Sequence, residues 1–297
     1  MLFNTVNLAY IDDMTDFVKM HGLGNDFVVL DARAKASFRV GETAARAIAD
    51  RRCGIGCDQI LVMREATDAD FFLEVLNSDG TRAKACGNGT RCVAALVMTE
   101  KNTTTLTIIT DAGRLEAWRS DDGLISVNMG PAFLDWQDVP LAREMDTLAV
   151  ALDGAPGLAV CHSMGNPHAV IFVDDVASID LSSLGPAVEH DPLFPDRVNL
   201  SIVQEIDAGV FRMRVWERGV GITMACGSGA CAVGVGVVRR GLGGRKNEII
   251  MDGGKVTIDW QDDGLVGGRV IMTGPIAYSY QGTMADALSS LLEAGNG

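Results

Sequence analysis

Two cysteines of the chain stand in the same short glycine frame. The sequence Ala-Cys-Gly-Asn-Gly at residues 85–89 recurs 140 positions later as Ala-Cys-Gly-Ser-Gly at residues 225–229. Each frame leads into an apolar run that predicts a helix. The unpaired N–H groups and the positive dipole end of a helix N-terminus attract anions. We therefore expect Cys86 and Cys226 to have lowered pKa values and thiolate character, which makes them candidate acid–base groups.

The backbone of these turns offers a second kind of chemistry. A set of N–H groups at the turns could bind a carboxylate or a developing enolate, and it comprises those of Gly87, Asn88, Gly227 and Ser228. A substrate between the two turns would meet one thiol on each face of a carbon. One thiol could remove a proton while the other delivers one to the opposite face, which inverts the centre. Since the chain has no motif for a metal, flavin or pyridoxal, we predict neither a cofactor nor a metal site.

Other polar residues at turns and strand ends extend this candidate site. The asparagines among them are Asn25, Asn77, Asn166 and Asn199. Glu217 and Arg218 end a predicted strand, where a buried glutamate could bind an ammonium group and an arginine a carboxylate. His168 could tune a thiol. For each residue taken alone, an ordinary role in a turn, in the core or on the surface stays open.

The cysteine frame belongs to a longer internal repeat. Further matched phrases recur in the same order at a nearly constant offset, and they begin at Gly24 and Gly165, Asp58 and Val198, Asp111 and Asp252, and Asp121 and Asp262. Such self-similarity predicts two structurally equivalent halves. We expect an N-terminal extension at residues 1–15, one domain at residues 16–131 plus 273–297, and a second domain at residues 132–272.

Each half is predicted to contain six short strands and one long helix. The helices, Thr90–Met98 and Ala230–Val238, are apolar on nearly every side, so each must be enclosed. Gly234 and Gly236 would let the enclosing strands approach closely. The predicted fold is α+β, with two pseudo-symmetric halves. In each, a mostly antiparallel or mixed sheet rolls into a barrel around a central helix, and the active site lies in the cleft between them.

Composition excludes several classes of protein. The chain has 297 residues, 47% of them hydrophobic, which is enough for one or two folded cores. Its net charge of −14 argues against nucleic acid and anionic membrane surfaces as partners. The seven cysteines include no Cys-x-x-Cys pair, so free thiols in a reducing cytoplasm are expected.

These motifs together resemble the diaminopimelate epimerase family. The matching segments span nearly the whole chain, and they are residues 19–27, 54–59, 77–80, 86–92, 165–168, 197–199, 217–219 and 225–231. The resemblance implies a pyridoxal-independent isomerase that interconverts LL- and meso-diaminopimelate in bacterial lysine and peptidoglycan biosynthesis. It implies a small-molecule substrate, no nucleic acid or membrane partner and a cytoplasmic location, and it admits a homodimer.

The resemblance also implies roles for single residues. Cys86 and Cys226 would be the acid–base thiols, with His168 and Glu217 adjusting their protonation. The α-carboxylate would be held by Gly87, Asn88, Gly227 and Ser228. The remaining substrate-binding positions are Asn25, Gln59, Asn77, Asn166, Asn199, Glu217 and Arg218. Of these, Arg218 would bind the distal carboxylate.

Two alternatives stay open at this point. The first is a two-thiol racemase of another amino acid, such as proline or histidine. Ile222 keeps this alternative open, because the family commonly has Glu at that position and the change could alter the choice of substrate. The second is a redox or metal-sensing protein that uses its seven cysteines. The distal-carboxylate set around Arg218 favours a dicarboxylic substrate over proline.

Overall fold

The computed structural model describes residues 15–264, 266–284 and 286–294. The chain divides into two compact units. The first comprises the described residues up to Val127 together with those from Pro275 onward, and the second is Asn128–Gly274. The predicted N-terminal extension, apart from Thr15, lies outside the described residues.

The first unit begins with eight strands and two helices. The strands are β1 (Asp16–Gly22), β2 (Asn25–Asp31), β3 (Gln59–Arg64), β4 (Phe71–Asn77), β5 (Arg82–Ala83), β6 (Thr105–Thr110), β7 (Gly113–Arg119) and β8 (Ile125–Asn128). The helices are α1 (Glu42–Ala49) and α2 (Gly87–Lys101).

The second unit repeats this series of elements. Its strands are β9 (Ala159–Ser163), β10 (Pro167–Phe172), β11 (Asn199–Asp207), β12 (Val210–Glu217), β13 (Gly221–Ile222), β14 (Lys246–Met251), β15 (Gly254–Gln261) and β16 (Arg269–Gly274). Its helices are α3 (Leu181–Glu189) and α4 (Gly227–Arg239), with a 3₁₀ turn at Val176–Ser178. The chain then returns to the first unit as β17 (Ala277–Thr283), antiparallel to β1, and α5 (Asp286–Ala294).

The two units share one topology. In each unit the first two strands are antiparallel, the second pairs in parallel with the third, and the third is antiparallel to the fourth. The fourth pairs in parallel with the sixth, and an antiparallel strand follows. Both parallel pairings need crossovers, which helices α1 and α2 supply in the first unit and α3 and α4 in the second. The α+β class with two repeated halves is therefore confirmed, whereas the closed barrels stay a prediction.

Both long helices are enclosed, as their apolar sequences require. Every residue of α2 from Gly87 to Met98 is buried. Helix α4 packs against all seven of the longer strands of its unit. No helix among the residues that the structure describes is long and apolar enough to cross a membrane.

Several elements were not predicted from the sequence. They are β1, β9 and β17, the two-residue strands β5 and β13, and helices α1, α3 and α5. Helix α1 has eight residues, and a helix this short gains its stability from packing rather than from its own sequence. Its buried face, with Ala44, Ala45 and Ile48, joins a cluster that includes Leu288 and Leu292 of α5. These contacts lie too far apart in sequence for a local pattern to reveal.

The two glycines of α4 differ in the space around them. A Cβ atom at Gly234 would lie 2.5 Å from Cγ2 of Ile258 in β15, whereas one at Gly236 would meet its neighbours at 3.6 Å. The predicted close approach therefore holds at Gly234, and Gly236 has room for a methyl group.

We expect Gly234→Ala to lower the free energy of unfolding by about 1–3 kcal/mol, because the β-branched Ile258 cannot move aside without repacking. Urea denaturation measures the change. Gly236→Ala in the same helix is the matched control and should be neutral or stabilising by up to about 1 kcal/mol, since alanine favours the helix. Equal effects of the two substitutions would contradict the packing described for Ile258.

Candidate active site

Cys86 caps the first turn of α2. Its backbone is extended, and its Sγ accepts a hydrogen bond from the Gly89 N–H at 3.4 Å. The Thr90 N–H bonds to the Cys86 carbonyl and begins the regular helix. The first N–H groups of a helix have no acceptor within it, so those of Gly87 and Asn88 could donate to a ligand. The turn thus presents one sulfur and two backbone donors together.

Cys226 caps α4 in the same way. Its Sγ accepts the Gly229 N–H at 3.3 Å, and the Ala230 N–H bonds to its carbonyl. The N–H groups of Gly227 and Ser228 correspond to the two donors in the first unit. Both helices therefore start three residues before the predicted Thr90 and Ala230, because the sulfur cap lets the glycine frame form the first helical turn.

The surroundings of Cys226 correct the prediction of a lowered thiol pKa. Burial, followed by the negative charge of Glu217, raises the pKa of Cys226 well above its ordinary value. The hydrogen bonds from Ser228 and Gly229 act in the opposite direction but do not compensate. Only 5% of Cys226 is exposed, so desolvation outweighs the helix N-terminus and favours the neutral thiol.

Amide side chains surround the half-buried Cys86. The Oδ1 atom of Asn25 lies 3.8 Å from the Cys86 sulfur and accepts the Asn88 amide at 3.4 Å. Asn88 in turn accepts a hydrogen bond from the buried Arg91 guanidinium at 3.0 Å. The other end of the Asn25 amide donates to Asp58 Oδ2 at 3.0 Å, which directs its oxygen toward the thiol.

Gln59 and Asn77 form a second pair in the first unit. They lie opposite each other on β3 and β4, and Gln59 Nε2 donates to Asn77 Oδ1 at 2.9 Å. Strands β2 and β3 begin at Asn25 and Gln59, and the antiparallel β4 ends at Asn77. Three predicted site residues therefore lie at one edge of three adjacent strands.

In the second unit, a hydrogen-bonded chain connects Cys226 to a histidine. The Ser228 hydroxyl lies 3.6 Å from the Cys226 sulfur and accepts from Asn166 Nδ2 at 3.3 Å. The oxygen of the Asn166 amide is 3.0 Å from Nε2 of His168. His168 is thus connected to the thiol through two intervening side chains, while Glu217 acts on it directly by charge and hydrogen bonding.

Asn199 and Arg218 are also brought together. The Arg218 N–H donates to Asn199 Oδ1 at 3.0 Å, and Asn199 Nδ2 donates to the Pro167 carbonyl at 2.8 Å. The Arg218 guanidinium donates to the Asp196 carbonyl at 2.8 Å. In this structure the buried Asn199 amide therefore supports the backbone of the turn that carries Arg218.

Two buried histidines face each other on β9 and β10. His162 and His168 are cross-strand partners. Burial lowers the pKa of each to about 3, and the nearby positive charge of Arg239 contributes for His162. Nε2 of His162 donates to the Ala232 carbonyl of α4 at 2.7 Å. Both rings are therefore neutral near pH 7, so His168 contacts Asn166 through a hydrogen bond between neutral groups.

Sequence reasoning missed three residues that hold the site together. Asp58 orients Asn25, the Thr223 hydroxyl donates to the Glu217 carboxylate, and Glu189 accepts the Gly219 N–H. Asp58 lies inside a matched segment and was detectable, whereas neither of the others stands in a recognised pattern. Within the described ranges, no group of three or more His, Cys, Asp or Glu side chains could hold a metal ion.

Comparison with solved structures shows the class of fold. The crystal structure of a hydroxyproline epimerase from Agrobacterium vitis matches with a TM-score of 0.66 at 16% identity. The match covers 92% of this chain and 91% of that chain. The chain thus has the two-unit α+β fold of that epimerase.

Comparison of sequences identifies the family. The diaminopimelate epimerase family model matches residues 17–134 and 160–278. Diaminopimelate epimerase of Rhodospirillum centenum is 50% identical over 275 residues, which cover 92% of this chain and 93% of the relative. That of Acidiphilium cryptum is 48% identical over 274 residues, with 92% and 97% covered. The chain belongs to the diaminopimelate epimerase family, and the resemblance noted from the motifs is confirmed.

We expect Glu217→Gln to lower the pKa of the Cys226 thiol, because the substitution removes a negative charge that opposes thiolate formation. The ultraviolet absorbance of the thiolate, followed against pH and referenced to Cys226→Ala, reports the change. Glu205→Gln, on the exposed end of β11, is the control and should leave the titration unchanged. A Cys226 titration that stays in place or moves upward in Glu217→Gln would refute this account.

We expect the stability of the wild-type protein to fall with acid between about pH 6 and 4. Unfolded chains protonate histidine near pH 6.5, whereas folded His162 resists protonation until about pH 3. The contribution of His162 to the free energy of unfolding is thus fully present at neutral pH. It falls by about 1.4 kcal/mol for each pH unit of acidification below about pH 6. His162→Gln, which can still donate to the Ala232 carbonyl, should lessen the slope by that amount in urea titrations. An unaltered slope would contradict a neutral buried His162.

Proposed function

We propose that the chain epimerises LL-2,6-diaminopimelate to meso-diaminopimelate with two cysteine thiols and no cofactor. In this role it serves lysine and peptidoglycan biosynthesis in the cytoplasm, where thiols remain reduced. The observation that carries the proposal is the recurrence of a sulfur-capped helix N-terminus in both units. Membership of the diaminopimelate epimerase family supports the choice of substrate.

The reaction begins with removal of a proton from the substrate. The Cys86 thiolate takes the proton from Cα, so an S–H bond forms as the C–H bond breaks. The bonding electrons delocalise into the α-carboxylate, which gains enolate character. The N–H groups at the first turns of α2 and α4 donate to this developing charge, and they need no reorganisation because the helices already hold them.

Delivery of a proton to the opposite face completes the inversion. The Cys226 S–H protonates the carbon and leaves a thiolate, so one proton is taken up and one is given back without redox change. The raised pKa of Cys226 supports its role as the donor in this direction. Epimerisation in the reverse direction starts from the exchanged protonation states. The mechanism requires both sulfurs to reach the same carbon.

Recognition of the far end of the substrate separates this function from that of a proline-type racemase. A guanidinium binds a carboxylate through paired hydrogen bonds, so Arg218 is suited to bind the distal carboxylate of the substrate. Glu217 would accept the ammonium group, and the amides of the two strand edges would bind the remaining polar atoms. Proline has no second carboxylate for such a set to bind.

We expect the purified, reduced protein to epimerise LL-diaminopimelate without added cofactor and to incorporate solvent deuterium at the inverted centre in deuterium oxide. Cys86→Ala and Cys226→Ala should each lose epimerisation in both directions by at least about a thousandfold, because each face then lacks its acid or base. Mass spectrometry and chiral chromatography follow both readouts.

Cys53→Ala is the matched control, since Cys53 is exposed and lies outside the capped turns. It should retain wild-type turnover. Substantial epimerisation by Cys86→Ala or Cys226→Ala, or product that keeps its original hydrogen, would contradict the two-thiol mechanism. Turnover of proline or histidine but not diaminopimelate would instead reassign the substrate.

A further inference from the structure

The turn that carries Glu217 and Arg218 is fixed from outside by side-chain acceptors. Within the turn, the Val220 N–H bonds to the Glu217 carbonyl at 3.0 Å, and Gly219 has a φ of +76°. A positive φ at this third position is typical of a type II turn. The turn itself provides no acceptor for the N–H groups of Arg218 and Gly219. Each instead donates to a side chain elsewhere in the second unit.

Glu189 is the acceptor with two bonds to this region. Its Oε1 accepts the Gly219 N–H at 2.9 Å, and its Oε2 accepts Nε1–H of Trp216 at 2.7 Å. The side chain is 4% exposed. Together with Asn199, which accepts the Arg218 N–H, Glu189 holds both sides of the turn. Arg218 therefore projects from a backbone anchored at both central residues.

The position of Glu189 by itself disfavours a charged carboxylate. It is the last residue of α3, and the negative end of a helix dipole disfavours a carboxylate. Burial also opposes the charge, yet hydrogen bonds from Trp216 and Gly219 hold the pKa of Glu189 below its ordinary value. The Arg197 guanidinium lies 3.5 Å from Oε1 and adds to the stabilisation. The residue is consequently an anion held by donors from Trp216, from the turn and from Arg197.

A glycine in helix α3 allows Trp216 to pack close enough to reach this carboxylate. One helical turn before Glu189, a Cβ atom at Gly185 would lie 2.3 Å from Cδ2 of Trp216. Only glycine lets the indole lie against the helix at this point, where its N–H reaches Glu189. Gly185 and Glu189 thus form one face that fixes the end of β12.

The duplicated first unit gives an internal comparison. Its corresponding turn follows Asn77 and is held by its own residues, since the Thr81 N–H and hydroxyl both donate to Asp79. Asp50, which follows α1, accepts the N–H groups of Arg52 and Cys53 in its own loop. The buried carboxylate is therefore found at the turn that carries the charged pair and not at its counterpart among the described residues.

We propose that Glu189 is a positioning residue that acts through Arg218 to set the affinity for the distal carboxylate of the substrate. The inference rests on the proposed function and adds to it the group that orients the guanidinium. Loss of the anchor leaves Arg218 present but free to adopt other orientations, so binding weakens in the ground state and the transition state alike.

Glu189→Gln tests the proposal with little change in size. Glutamine offers one oxygen and one NH₂ group, so either Trp216 or Gly219 meets a donor instead of an acceptor. We expect the KM for LL-diaminopimelate to rise about tenfold while kcat changes by less than about twofold. The control is Glu74→Gln, which removes a carboxylate of similar burial that pairs with Arg64 and Arg82 in the first unit. Its KM should equal that of the wild-type protein.

A double-substitution cycle distinguishes positioning from general destabilisation. In an Arg218→Ala background, Glu189→Gln should change KM by less than about twofold, because the group through which it acts is gone. Trp216→Phe keeps an aromatic ring but lacks the indole N–H donor, so it should raise KM in the same direction by a smaller factor. This variant also decides the question if Glu189→Gln does not fold.

The outcomes separate the two proposals. An inactive wild-type protein would defeat the proposed function itself. An active wild-type protein with an unchanged KM in Glu189→Gln, or with an equal rise in the Arg218→Ala background, would overturn only the role of Glu189. A fall in kcat alone would equally exclude positioning of the distal-carboxylate group.

Discussion

Each unit depends on one interaction, in which a cysteine sulfur caps the N-terminus of an enclosed helix. Because α2 and α4 are apolar on nearly every side, strands must cover them, and the chain enters each helix at an edge of the sheet. There Cys86 and Cys226 take the place usually held by serine, threonine or aspartate. Sulfur is a weaker acceptor, so the cap gives up some helix stability and places a thiol beside the backbone N–H groups of the first helical turn.

The duplicated scaffold carries two different chemical environments. In the first unit, the neutral amide of Asn25 lies beside a half-buried Cys86, and the Arg91 guanidinium bonds to the neighbouring Asn88. In the second, a buried Cys226 lies beside the Glu217 carboxylate and is connected to a neutral His168 by hydrogen bonds. Two thiols in the same local frame therefore have different surroundings, which is the difference that the proposed exchange of one proton requires.

Hydrogen bonds from neighbouring residues fix the orientation of the polar side chains and of the backbone that carries them. Asp58 turns the Asn25 amide, Asn199 supports the backbone of Arg218, and Glu189 anchors the next residue of the same turn. Such fixed dipoles and charges are effective because they need not reorganise as charge develops on a substrate. The polar side chains at the strand ends of each unit are therefore already oriented, as the proposed binding of substrate requires.

The sequence by itself determined the repeat, the two enclosed helices, most of the strands and the pair of capped cysteines. These are local properties, since glycine frames, alternation and unbroken apolar runs are read within a few residues. The family resemblance extended this to candidate site residues such as Asn166 and Arg218. Tertiary structure alone decided the raised pKa of Cys226, the short helix α3 and the hydrogen bonds that Asp58 and Glu189 make. Desolvation depends on everything packed around a thiol, and each of those carboxylates bonds to a partner at least 30 residues away in the chain.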